Sequence, residues 1–238
     1  MRILAIDTSA CPVSAALMED GFLLGEFFLN TKTTHSQTLM PIVESLLRAA
    51  AVDIKDIDVF AVNTGPGSFT GVRIGTASVK GLSMPQDKPC ASVSTLEAMA
   101  YGLPYDSGIA CAVMDARCSQ VYNALFRLNG HEPERLTDDR AVSIEDLADE
   151  LAGYSERIYL AGDGAELCAR AFDGRLTNVV LPPQNIRYQH AYGTACAAQR
   201  LIRENRLLSS DALMPLYLRL PQAERELKKK QSGGKPDQ

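Results

Sequence analysis

The chain has 238 residues, 46% of them apolar and 22% charged, enough for one large domain or two small ones with a real core. A net charge of −5 and a pI near 5.3 argue against a stand-alone nucleic-acid binder, because phosphate contacts need clustered Lys and Arg. Six scattered cysteines, none in a CxxC pair, lack zinc spacing. The first residues enter a strand-like run without signal-peptide layout, and no apolar run approaches the roughly 18 residues of a membrane span. The expectation is a cytoplasmic chain with free thiols and no membrane contact.

Residues 3–6 read as a buried strand ending at Asp7. Residues 13–18 and 22–29 flank Glu19-Asp20-Gly21 as a hairpin. A helix over 36–51 carries Leu39, Val43, Leu46, Leu47 and Ala50 on one face, with Pro41 marking a first turn or a kink. A strand at 59–62 leads into a glycine-rich stretch and a helix over 70–82. A strand near 91–93 and a helix with the capping-box pattern Ser94 to Glu97 follow.

The plan then repeats. Residues 109–114 form an apolar strand ending at Asp115, 120–128 a second, and 136–142 a third. Ser143 caps a helix to about 152. A strand at 157–160 runs into Ala161-Gly162-Asp163-Gly164 and a helix to 172; a strand at 179–181 and a long helix over 191–205 complete the order. Three strands, helix, strand, glycine-rich turn and helix, twice over, is the α/β two-lobed layout of the actin/hexokinase/Hsp70 class, and that layout alone does not fix function. The expected lobes are 1–103, completed by part of the C-terminal helical segment, and 104–220, with a frayed tail at 221–238.

Asp7-Thr8-Ser9 ends the first strand in a turn whose N–H groups and hydroxyls suit a phosphate; the plainer reading is a locally hydrogen-bonded turn. Asp7 and Asp115 would face each other across a cleft and hold a magnesium–nucleotide, with Gly162 and Gly164 beside them; equally, each aspartate would simply cap its strand end. Asn63-Thr-Gly-Pro-Gly-Ser-Phe-Thr-Gly-Val-Arg-Ile-Gly75 fits neither the Walker A nor the Rossmann pattern. Its helix start suits an anion, while Gly71, Gly75 and Ser78 make a small-residue face that lets another helix come close. His35, His131 and His190 are dispersed, and no nucleophile elbow is present.

Several stretches resemble the TsaB (YeaZ) family: Ile3-Leu-Ala-Ile-Asp-Thr-Ser9, His35-Ser-Gln with Leu39 and Pro41, Thr64-Gly-Pro-Gly-Ser-Phe-Thr-Gly-Val-Arg-Ile-Gly75, Met114-Asp-Ala-Arg117 and Leu216-Tyr-Leu-Arg219. The resemblance covers nearly the whole chain, and its glycine-rich stretch is the specific part. It implies a non-catalytic subunit that binds and activates a TsaD-type catalytic homologue, with a TsaE-type ATPase as further partner. It also implies a homodimer when alone and only indirect contact with transfer RNA. The implied reaction moves threonylcarbamoyl from its adenylate to the adenosine beside the anticodon of transfer RNAs reading codons that start with A.

In the catalytic relatives a His-Leu-Glu-Gly-His type motif binds a metal; here it reads Thr95-Leu-Glu-Ala-Met99, with both ligands lost. A Ser-Gly-Gly-His-Thr phosphate loop is matched by Asp115-Ala-Arg-Cys-Ser119. These departures argue against transferase or protease activity, so no catalytic residue, metal or resident cofactor is expected; a weak nucleotide site at Asp7, Thr8, Ser9, Asp115, Gly162 and Gly164, or nucleotide at the partner interface, stays open. The resemblance places the partner interface on the two helices after the third and fourth strands, at His35, Leu39, Met40, Val43, Phe69, Val72, Arg73, Gly75 and Thr76. A bulky change at Gly75 is expected to abolish association while leaving the monomer folded. The competing expectation is a phosphotransferase or hydrolase of the same fold that acts alone on a nucleotide.

Overall fold

A computed structural model describes residues 1–31, 33–130 and 132–218. His131, Arg219 and the expected tail at 221–238 lie outside the described residues.

Strand β1 (Arg2–Asp7) sends Leu4 and Ile6 to one face and Ile3 and Ala5 to the other. Both faces are covered, which is why the run is apolar without alternation. Strands β2 (Val13–Glu19) and β3 (Phe22–Leu29) form the hairpin, turning at Asp20 (φ 48°) and Gly21 (φ 90°). Helix α1 (His35–Ala49) carries Pro41 within its second turn. Strand β4 (Val59–Gly65), helix α2 (Phe69–Ser83), strand β5 (Cys90–Ser94) and helix α3 (Thr95–Tyr101) complete the first unit. Ser94 caps α3 by accepting the Glu97 N–H. The sheet order is β3-β2-β1-β4-β5, with β1, β4 and β5 parallel.

The second unit contains β6 (Gly108–Asp115), β7 (Gln120–Leu128), β8 (Glu134–Arg135), β9 (Arg140–Ser143), α4 (Ile144–Leu151), β10 (Ile158–Ala161), α5 (Ala165–Phe172) and β11 (Val179–Val180). Its order, β11-β10-β6-β7-β8 with β9 also on β7, mirrors the first. The expected third strand over 136–142 is instead two short pieces. Arg135 Nη1 donates to Thr137 O at 3.2 Å and to Asp139 Oδ1 at 2.6 Å, looping the chain out between β8 and β9.

The chain closes with α6 (Gln184–Arg187) and α7 (Ala191–Arg203). Ala191, Ala195, Ala198 and Leu201 of α7 pack on Ile3, Ala5 and Ala16. Beyond it, Leu208 exchanges two 2.8 Å backbone hydrogen bonds with Cys90, and Leu213 is buried among Leu4, Phe60 and Val79. The described chain from 191 onward thus packs on the first sheet, the C-terminal helical segment that was expected to complete the lobe at 1–103. Helices α3 and α7 lie between the two sheets; a Cβ on Gly193 would overlap the Ala98 carbonyl, so the pair packs backbone to backbone.

Candidate functional site

The turn after β1 and the glycine-rich start of α2 fold onto each other. Asp7, Thr8 and Ser9 are all buried. Thr8 Oγ1 donates to Gly71 O at 2.7 Å, the Ser68 N–H donates to Ser9 O at 2.6 Å, and Ser9 N–H donates to Asp7 Oδ1 at 2.7 Å. Burial raises the Asp7 pKa, against the lowering effect of the Ser9 hydrogen bonds. Cβ atoms on Gly67 and Gly71 would overlap the Ser9 and Thr8 carbonyls, and one on Gly75 would overlap Thr8 Oγ1. These glycines are needed for contact within the chain. Within the turn expected as a weak nucleotide site, Thr8 is thus committed to α2, while Ser9 borders the cleft.

Gly162 and Gly164 are the glycines expected beside that turn. They are buried against the end of β6, where a Cβ on Gly162 would overlap Val113 O and one on Gly164 would lie 3.2 Å from Asp115 N. Of the expected nucleotide set, only Ser9 and Asp115 reach the cleft between the lobes, a space of about 700 Å³.

Across that cleft stand His35, Phe69, Asp115, Arg117, Asp163 and Tyr217. His35 Nε2 lies 2.7 Å from Ala10 O, tying α1 to the first turn. Asp115 is committed to Arg117, accepting its N–H at 2.7 Å and its guanidinium at 3.0 Å. Arg117, Cys118 and Ser119 all hold left-handed φ (66°, 55°, 55°), a tight turn built without glycine. Asp163 was missed by sequence reasoning. Its carboxylate accepts Asp115 N–H at 3.2 Å, and although the residue is exposed at the cleft, the surrounding chain partly desolvates it. That desolvation raises its pKa from 3.8 to about 6; the Asp115 hydrogen bond opposes the rise and the Asp115 charge adds to it. The clue in the sequence was position, since Asp163 follows β10 in the second glycine-rich turn.

Thr95 and Met99, the residues expected at the two ligand positions of the metal motif, are buried in the chain, Met99 within the core between α3 and β6. Glu97 accepts Arg200 at 2.6 and 3.0 Å and pairs with Arg135 at 3.5 Å, joining α7 to the second lobe through α3. No group of three or more His, Cys, Asp or Glu among the described residues is arranged to hold a metal. No described helix is long and apolar enough to cross a membrane.

The expected interface residues divide by exposure. Leu39 and Val43 are core residues of the first lobe, and Val72, Gly75 and Thr76 are also buried. Leu39 and Val43 turn toward their own sheet, and Thr76 lies at the edge of a groove beside Ala77. The outer surface carries Met40, Arg73, Ala77, Gly81 and Met84, with His35 and Phe69 half-buried. Nothing lies within 4 Å of a Cβ on Gly81, so the open small-residue position is Gly81 rather than Gly75. The C-terminal segment also touches this surface: Tyr217 stacks on Phe69 at 4.7 Å and its hydroxyl accepts Arg73 Nε at 2.7 Å.

Duplicated sheets, a helix pair between them and an inter-lobe cleft define a two-lobed protein of the actin/hexokinase/Hsp70 class. The family model for tRNA N6-adenosine threonylcarbamoyltransferase (TsaD) matches residues 23–226. The Bacillus subtilis tRNA threonylcarbamoyladenosine biosynthesis protein TsaB is 34% identical over 167 residues, 70% of this chain and 73% of that protein. The Escherichia coli TsaB is 40% identical over 129 residues, 53% of this chain and little more than half, 55%, of its own length. A Pseudomonas aeruginosa structure described as similar to peptidase YEAZ superposes with a TM-score of 0.78 at 26% identity, covering 92% of this chain and 99% of that one. The chain belongs to this family and, within it, to the TsaB (YeaZ) proteins.

Proposed function

We propose that this chain acts in tRNA threonylcarbamoyladenosine biosynthesis as a non-catalytic subunit that binds and activates a TsaD-type homologue. The observation that carries this reading is the seating of the first turn on α2: Thr8 Oγ1, which could otherwise donate to a phosphate, donates to Gly71 O, and the Ser9 carbonyl accepts the Ser68 N–H. The loss of both metal-ligand positions to buried Thr95 and Met99 supports it further. The partner docks on the outer surfaces of α1 and α2, around Met40, Phe69, Arg73, Ala77 and Gly81. The same surface self-pairs when the homologue is absent, a TsaE-type ATPase joins the assembly, and transfer RNA is met only through the partner. The work is cytoplasmic.

The test has two arms. Mixed with its purified catalytic homologue, the chain should migrate as a stable complex in sedimentation velocity. Titrated alone with ATP and magnesium, it should give no turnover. Micromolar nucleotide binding with turnover by the isolated chain would instead support the independent enzyme, working from Asp115 and Asp163 in the cleft.

A further inference from the structure

The segment after α7 does more than finish the first lobe. Residues 211–217 run along α2, held by Lys80, whose ammonium donates to Asp211 O and Leu213 O at 3.2 Å, and by Arg73, which meets Tyr217. Between helix and segment lies a groove of about 340 Å³. Thr76 and Ala77 line its helix side; Leu213, Met214, Pro215 and Tyr217 line the other. Met214 and Tyr217 are left 64% and 40% exposed, large apolar groups facing water at the groove's edge.

Two cations, Arg73 and Lys80, flank this groove. Most described arginines of this acidic chain pair with a carboxylate within 4 Å, as Arg135, Arg140, Arg187 and Arg200 do. Arg73 and Lys80 have no carboxylate partner among the described residues; they meet only neutral acceptors and, for Arg73, the Phe69 ring at 3.8 Å. Two uncompensated cations beside an apolar floor complement one kind of occupant. We infer that the groove between α2 and residues 213–217 receives a segment of the partner protein carrying an apolar side chain flanked by carboxylates. The apolar group enters over Ala77 and Pro215, and the carboxylates pair with Arg73 and Lys80. The inference rests on the partner-subunit reading and adds to it the groove, the second wall and the chemistry of what enters.

The experiment measures Kd between the purified chain and its purified TsaD-type homologue over a salt series. Lys80→Gln keeps a donor for the two carbonyls and removes the charge; Arg73→Gln removes the other charge; Ala77→Trp fills the groove from an exposed position. Arg170→Gln, on the exposed side of α5, is the control. Thermal melts establish that each variant is folded. The expected result is a Kd raised about tenfold at low salt by each charge variant, with a flatter salt dependence, and at least as much by Ala77→Trp. The control binds as wild type. If wild type binds and all variants bind equally well, the groove is not the contact and only this inference falls. If the charge variants keep the wild-type salt dependence, the carboxylate partner is overturned. If wild type does not bind at all, the partner-subunit reading itself fails and takes the inference with it.

Discussion

Two glycines six positions apart on α2 should respond oppositely to the same substitution. At Gly81 a methyl group meets open space. Alanine there should stabilise the chain by about 0.5–1 kcal/mol, through helix propensity alone. At Gly75 the methyl would overlap Thr8 Oγ1 and lie 3.2 Å from Val62 Cγ2. Thr8 cannot swing away cheaply, because it is buried, β-branched and hydrogen-bonded to Gly71 O at 2.7 Å. Overpacking of this kind costs about 1–3 kcal/mol, and displacing the hydroxyl adds about 1 kcal/mol. After the propensity gain, Gly75→Ala should destabilise by about 1–3 kcal/mol. For a chain of this size that is a midpoint lowered by about 2–12 °C, against a rise of about 1–4 °C for Gly81→Ala. Urea titration and thermal melts on the isolated chain read both. If Gly75→Ala were as stable as Gly81→Ala, the tight seating of α2 on the first turn would be wrong, and Gly75 would be free for a partner after all.

Two further outcomes follow from the packing and the titration. Asp163 has its pKa raised by the fold, so the folded chain binds the extra proton between pH 3.8 and about 6. Stability should fall as pH rises through that window, a slope that Asp163→Asn removes; equal pH profiles for the two proteins would refute the desolvated setting. Leu213 is fully buried in the first core. Leu213→Ala should cost about 2–5 kcal/mol and speed hydrogen exchange at the Cys90–Leu208 bridge, whereas an unchanged urea midpoint would mean the segment is not part of the lobe.

Much of the fold was legible because both sheets are covered on both faces, leaving apolar runs such as 3–6 and 109–114 bounded by clear turns. The duplication could be read from element order alone. The orientation of α2 could not. Gly71 and Gly75 look like a surface made for another helix, and only the structure puts Thr8 in front of them. Leu39 and Val43 follow the same logic: their spacing marks an apolar stripe, but a stripe buries itself in its own lobe before it serves a partner. The Tyr217–Arg73 contact joins residues 144 apart, beyond any local pattern, and Asp163 joins Asp115 and Arg117 at the cleft only through the tertiary fold.

The central claim is that this chain supplies no chemistry yet is required for it. A reconstituted reaction tests this most directly: transfer RNA, threonylcarbamoyl-adenylate, the TsaD-type homologue and the ATPase, with and without this chain. Modified adenosine should form at a useful rate only when the chain is present, and should still form when Asp115 and Asp163 are both changed to Asn. Full modification without the chain, or its loss in the double variant with the complex intact, would contradict the account.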